Sequence, residues 1–139
     1  MTAPRVLVVE VDVHKTYLMS ANARPHWSKA RQQTRVLRDL AATHLRLALD
    51  GVRPLPAKGR PLMQRAHIDV DVAWPDRRHR DAANIAPTLK ALVDGFVTDG
   101  HLLPDDDDTH LTGPHPWPLP EPSGARDITR LTFRIEERP

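Results

Sequence analysis

The chain has 139 residues, enough for one domain with a single core; 40% are hydrophobic but only 4% aromatic, so Val, Leu, Ile and Ala must fill that core. Twenty Lys+Arg against eighteen Asp+Glu leave a net charge of +2, too near balance for the total to name a partner, so the distribution of charge matters more. The lack of cysteine excludes disulfides, thiolate metal sites and Cys nucleophiles, and no apolar run approaches the ~20 residues of a membrane span.

Lysine is confined to Lys15, Lys29, Lys58 and Lys90. The other basic residues are Arg, whose planar guanidinium suits bidentate phosphate contact. With no signal-peptide pattern after Met1–Arg5, the expectation is a soluble, cytoplasmic protein with no membrane partner. Eight of the fourteen prolines gather at 54–61 and 114–122 and mark loops there, so 52–61 and 113–124 read as proline-rich surface loops.

From Arg5 to Leu18, Val9, Val11 and Val13 alternate with Glu10, Asp12 and His14, a strand with one buried face. A polar connection, Ser20 to Trp27, leads to Ser28 as a candidate cap. Between Lys29 and Leu49, apolar residues recur at helical spacing, with Arg31, Arg35 and Arg38 on the opposite face. That stripe could touch phosphates or be a solvated charged face. Ile68, Val70, Val72 and Trp74 alternate with His67, Asp69, Asp71 and Ala73, the clearest strand in the chain. A second helix is expected from about Asn84 to Thr98, with Asn84 as N-cap, Pro87 in the first turn and Lys90–Asp94 an exposed i,i+4 pair. Gly95 inside it suggests close packing. Thr109-His110-Leu111 could begin a short strand, Trp117 reads as a loop anchor, and Leu131, Phe133 and Ile135 mark a closing strand. The order is β-α-β-α-β-β: an α+β single domain over 1–139, a mixed sheet with two helices packed on it.

Two stretches carry the candidate chemistry. Trp74-Pro75-Asp76-Arg77-Arg78-His79-Arg80-Asp81 is a basic run ending in a carboxylate just before the second helix, and Asp105 to Asp108 are four adjacent carboxylates after it. Adjacent carboxylates repel one another unless a cation or basic partner compensates, and hard divalent ions such as Mg2+ bind through one or two carboxylates plus phosphate and water oxygens. Arginines of the first stretch could hold phosphates. Together they suggest metal-dependent chemistry on a nucleic-acid backbone; the alternative for the aspartates is an acidic solvent-exposed turn. A helix of about fifteen residues spans ~22 Å, so the clusters meet only if the chain turns back after Gly100, or across a dimer. His79, His101 and His110 lie near these carboxylates, at spacings that match no familiar His-metal motif.

The pattern resembles the RusA family of Holliday-junction resolvases of phages and prophages. In that family a strand ends in Pro-Asp with an Arg-rich run, Asp-x-Asp-Asn opens a helix, and an Asp-Asp pair precedes a further strand. Here Pro75-Asp76-Arg77-Arg78-His79-Arg80-Asp81, Asn84 and Asp107-Asp108-Thr109-His110-Leu111 occupy those places, and Ser20-Ala21-Asn22-Ala23-Arg24-Pro25-His26 resembles the family's Asn-containing turn. Two positions depart: the second Asp of Asp-x-Asp-Asn is Ala83, and the following helix Lys is Pro87, with Lys90 one turn further on. The resemblance implies a Mg2+-dependent endonuclease (Mn2+ a substitute) that acts as a homodimer, in a bacterial host cell, and resolves four-way DNA junctions by paired nicks. It implies metal ligands among Asp81, Asp106, Asp107 and Asp108, catalytic roles for Asp81, Asp107, Asp108 and Lys90, and DNA contacts from Arg77, Arg78, Arg80, Asn84, Asn22, Arg24, Arg31 and Arg35. The departures make a branched-DNA-binding module with weak or lost cleavage the alternative.

Overall fold

A computed structural model describes residues 4–23 and 25–139. It contains four strands, β1 (Val6–His14), β2 (Ala66–Ala73), β3 (Leu111–Pro118) and β4 (Ile128–Glu137), and two helices, α1 (Trp27–Ala48) and α2 (Ala86–Asp94). The strands form one sheet in the order β1-β4-β2-β3. β4 is antiparallel to both neighbours and β2 is parallel to β3, so β1, β2 and β3 run in one direction. The α+β order with a mixed four-stranded sheet and two helices is as the sequence pattern predicts.

Alternation explains the sheet. Val9, Val11 and Val13, Ile68, Val70 and Val72, and Leu131, Phe133 and Ile135 are buried on one face. Against them α1 buries Gln33, Leu37, Ala41 and Leu45, one residue per turn, and α2 adds Leu89 and Leu92. The α1 cap is His26, whose Nδ1 accepts the Ser28 N–H, so Ser28 lies inside the helix rather than capping it.

The second helical segment is not one uniform helix. A 3-10 turn, Ala82–Ile85, precedes α2, and a π turn, Gly95–Asp99, follows it. Asp81, not Asn84, caps the start, its carboxylate accepting the Ala83 N–H at 3.0 Å; Asn84 sits within the 3-10 turn. The π turn widens the chain where the helices touch. A Cβ on Gly95 would lie 2.5 Å from the Arg38 carbonyl oxygen and 2.8 Å from the Ala41 Cβ, so only glycine allows this approach. Arg38 then clasps Asp99 through Nε at 2.9 Å and Nη2 at 3.1 Å. That arginine, expected on a stripe that was either solvated or open to phosphates, ties the two helical segments together.

The larger correction is β3. The segment expected as a surface excursion is a strand, parallel to β2 from Ala66↔Leu111 to Val72↔Pro118. The spacing of its prolines explains how. Alternate N–H groups of a strand point to the same side, and β3 is an edge strand. Pro114, Pro116 and Pro118 place their missing donors on the unpaired side, while the intervening residues face β2, as the Leu119 N–H donating to Val72 O at 2.9 Å shows. The prolines also bar a further strand from that edge. A register shift falls between His67 and Asp69, where Gly113 takes φ 94° and passes too close to the Ile68 carbonyl for any Cβ.

Trp117, accordingly, is a strand residue and not a loop anchor: its Nε1 donates to Asp69 Oδ1 at 2.9 Å on the helix-free sheet face. Asp69 Oδ2 lies 3.1 Å from His67 Nε2, and His67 Nδ1 lies 2.7 Å from the Thr112 hydroxyl. The Trp117 hydrogen bond, then the charge and hydrogen bond of His67, holds the Asp69 carboxyl below its ordinary value of 3.8. A depressed carboxyl contributes stability that is present above its unfolded pKa and lost as pH falls through the folded one. Trp117→Phe removes the main cause, so the Asp69 carboxyl resonance should titrate at higher pH than in the wild type, followed by carbon-detected NMR. An unchanged titration would mean that the indole is not its partner in solution.

Candidate functional site

The chain does turn back after Gly100. Leu62 and Met63 N–H groups donate to the His101 and Leu102 carbonyls at 3.0 Å, and the aspartate run is carried back along α2. There Lys90 Nζ lies 2.8 Å from Asp94 Oδ1 and 2.7 Å from Asp106 Oδ2. One ammonium thus draws together a helix carboxylate and a carboxylate of the run. Lys90 first, then the neighbouring Asp94, holds the Asp106 carboxyl below its ordinary value; Asp106 first, then Asp94, raises the Lys90 ammonium. The lysine side chain is 66% exposed, and pairs this open are worth at most about 1 kcal/mol. Fold stability therefore does not explain the trio, and a ligand can displace the ammonium at little cost.

Lys90 and Asp106 stand on the wall of a cavity of about 420 Å3, shared with Ala83, Leu89, Gly113 and Pro116. Its lining is mostly apolar, with the charged pair as its polar feature. Ala83, where the resemblance calls for a carboxylate, lines the same cavity as Lys90 and Asp106.

The remaining aspartates have local duties. Asp107 Oδ1 accepts the Thr109 N–H at 3.0 Å and the His110 N–H at 3.2 Å, closing the turn before β3; Asp105 Oδ1 accepts the Asp106 N–H at 2.7 Å; Asp108 is exposed. Of the run, the structure brings Asp106 to Lys90, whereas the motif placed Asp107 and Asp108 at the centre. Asp81 caps the 3-10 turn that contains Ala83 and is not itself among the residues lining the cavity. Among the described residues, no three His, Asp or Glu side chains come together as a metal-holding group. The donor set still suits a hard ion, because Asp94 and Asp106 already share one cation and Mg2+ takes one or two carboxylates with phosphate and water oxygens completing its shell.

The arginines divide into two groups. Arg80 is committed: Nη1 lies 2.6 Å from Asp76 Oδ1, and its guanidinium sits 5.3 Å from the Trp74 ring centre. That contact and the Arg78 backbone N–H lower the Asp76 carboxyl to about 2. Arg77 and Arg78 are open, with side chains 71% and 81% exposed and contacts of 3.4 and 3.5 Å to Glu121 and Asp76. On α1, Arg31 stacks 5.1 Å from the Trp27 ring centre and lines one groove with Arg35. Asn22 is exposed in a turn held against the candidate site, since the Ala21 N–H donates to Asn84 O at 2.7 Å. Arg24 lies outside the described residues.

Three residues here escaped sequence reasoning. Asp94 was visible only as one half of a helix pair. Thr88, fully buried, accepts from Met19 N at 2.6 Å and donates to Met19 O at 2.8 Å, fixing the β1–α1 connection to α2; a threonine on a helix gives no such signal. Gln33 occupies a buried position of α1, and its Oε1 has no hydrogen-bond partner among the described residues. An unpaired buried acceptor costs about 1–3 kcal/mol. A polar residue in the apolar stripe at 33, 37, 41 and 45 was the available clue. No helix among the described residues is long and apolar enough to cross a membrane. No protein-family model matches the chain, and neither does any curated protein.

Proposed function

We propose that this chain is a metal-dependent endonuclease of the RusA type that acts on four-way DNA junctions, hydrolysing phosphodiesters by paired nicks as a homodimer. The observation that carries the reading is Lys90 drawn between Asp94 and Asp106 on a cavity whose wall includes Ala83, next but one to Asp81. Asp94 and Asp106 would hold Mg2+ or Mn2+, and Asp81, two residues before Ala83 of the cavity wall, would be the third carboxylate to reach the ion. Such an ion, when bound, makes a coordinated water a nucleophile near neutral pH and offsets charge developing on the phosphate. Lys90, released from the carboxylates, would turn its ammonium to the scissile phosphate and stabilise the charge that grows there. Arg77 and Arg78 would grip the flanking backbone, giving affinity without base selectivity. A two-fold enzyme suits a two-fold junction, since paired nicks need two equivalent sites.

The second reading is a branched-DNA-binding module that does not cleave. It is favoured by Ala83 in place of a carboxylate and by the lack of a three-ligand group among the described residues. One assay separates the two: a synthetic four-way junction with Mg2+ or Mn2+, wild type beside Asp81→Asn. Paired nicks that need the metal and are weakened by Asp81→Asn support the enzyme. Tight junction binding without nicks under either metal gives the binding module, and equal, weak affinity for junction and linear duplex removes both.

A further inference from the structure

β1 is the open edge of the sheet. It ends the strand order among the described residues, while the opposite edge carries Pro114, Pro116 and Pro118 of β3. The Glu137 N–H donates to Arg5 O and the Lys15 N–H to Asp127 O, both at 2.9 Å, at the two ends of one unbroken antiparallel register with β4. Backbone groups of an antiparallel strand alternate between its two sides. Val6, Val8, Glu10 and Asp12 therefore turn their N–H and C=O groups away from β4, to the free edge.

Sheet edges are usually guarded by proline, by lysine or by charges that repel a further strand. From Val6 to His14, β1 has no proline and no lysine. Its two carboxylates are drawn inward instead: Arg130 Nε of β4 lies 2.8 Å from Asp12 Oδ1 and 3.4 Å from Glu10 Oε1. The rest of the helix-free side is apolar at its start, with Val6 and Val8 50% and 53% exposed. Free ladder groups beside exposed valines fit another extended strand, and β1 is complementary to itself. A two-fold axis at Val8 sets Val8 against Val8 of the second copy and Val6 against Glu10. An axis at Glu10 would set carboxylate against carboxylate, which is destabilising. On the helix-bearing face the first register places Leu7, partly buried against the core, beside Val9 of the second copy, so the apolar layer continues across the seam.

We propose that two copies of this chain join β1 to β1, antiparallel about a two-fold axis at Val8, so that their four-stranded sheets become one continuous sheet. The inference rests on the homodimer of the reading above and gives it an interface. The contact is isologous, the same edge meeting itself, and it closes at two copies because β1 is then consumed and the proline-bearing β3 edge admits no further strand. An axis normal to the sheet keeps both helical layers on one surface. The Lys90–Asp106 cavities, each between α2 and β3, then lie on that surface at the two ends of the joined sheet, two equivalent sites as paired nicks need.

The chain has no cysteine, so one thiol can be placed on either valine. Residues facing each other in a hydrogen-bonded antiparallel pair have Cα atoms about 5.5 Å apart, within the span of a disulfide. Residues two positions off the axis on each strand are about 14 Å apart, beyond it. Val8→Cys should therefore give a covalent dimer on oxidation with copper–phenanthroline in air, and Val6→Cys, equally exposed, should not. Val8→Pro removes only an outward donor, so it should unfold in urea near the wild-type midpoint while its dimer, by sedimentation equilibrium, weakens about tenfold or more. Wild type that sediments as a monomer overturns the proposal, as does a folded Val8→Pro that dimerises like wild type. Val6→Cys that cross-links as readily as Val8→Cys overturns it too, and so does a wild-type dimer that Val8→Cys fails to cross-link. No DNA enters these measurements, so the two failures separate. A chain that cross-links at Val8 but neither binds nor nicks junctions loses the nuclease reading alone, and one that nicks them without the Val8 cross-link loses this interface alone.

Discussion

Phe96→Ala is expected to lower the free energy of unfolding by about 3–5 kcal/mol, the range for deleting a fully buried aromatic. Phe96 is 0% exposed, and its ring meets that of Phe133, also 0% exposed, edge to face with centroids 4.9 Å apart. The contact joins the first residues of the π turn to the middle of β4, so it links the helical layer to the sheet at a central strand. With only two phenylalanines in the chain, aliphatic side chains supply the rest of the core, and neither ring has a substitute. The neighbouring Gly95 already lets α1 approach to contact distance, which limits how far the layers can close over the hole. Domains of this size are stable by about 5–15 kcal/mol. Urea unfolding should show a much earlier midpoint for Phe96→Ala, with Leu47→Ala, at a position 66% exposed, staying within about 0.5 kcal/mol of wild type. A loss below 1 kcal/mol for Phe96→Ala would mean that this ring is not packed as described.

How legible each element was follows from what its residues report. The alternation of Ile68, Val70 and Val72 reports a strand directly, because one face meets helices and the other does not. β3 was hidden by its prolines, which read as loop wherever strand position is unknown. Their spacing of two was the missed signal: three prolines on alternate residues can all sit on the outer side of an edge strand. The start of the second helix was misplaced because Asn84 and Asp81 are both good caps, and the choice depended on the 3-10 turn between them. The doubled-back path of Asp105 to Asp108 was stated as a condition, not a result. What decided it were backbone bonds from Leu62 and Met63 to His101 and Leu102, contacts some forty residues apart that no local pattern encodes. The same holds for the identity of the aspartate at Lys90. Counting back from Leu111 favours Asp107 and Asp108, but Asp107 is spent on the turn that starts β3, and Asp106 is left facing the helix.

That assignment yields the sharpest functional expectation. If the chain is the nuclease proposed above, Lys90→Met should reduce junction cleavage by about 10²–10³-fold, the usual loss when one group aimed at developing charge is removed. Binding of the junction should fall far less, because Arg77 and Arg78 remain in place for the backbone. The substitution also has a titration signature. Lys90 is the foremost cause of the depressed Asp106 carboxyl, so in Lys90→Met that carboxyl must rise toward its ordinary value. If the ionised Asp106 is needed for metal, the acid limb of the cleavage profile then moves to higher pH; the shift has this sign because the carboxylate form is lost earlier as pH falls. Asp106→Asn should abolish the metal requirement's effect on rate by abolishing cleavage, while tightening junction binding through removal of a charge that repels phosphate. The binding-module reading makes the opposite forecast for Lys90→Met: a loss of affinity for the junction with no cleavage to lose. Single-turnover cleavage from pH 5 to 9, run beside direct binding on the same junction, distinguishes them. An enzyme in which Lys90→Met cleaves at the wild-type rate would place the reacting phosphate elsewhere than the Lys90–Asp106 cavity.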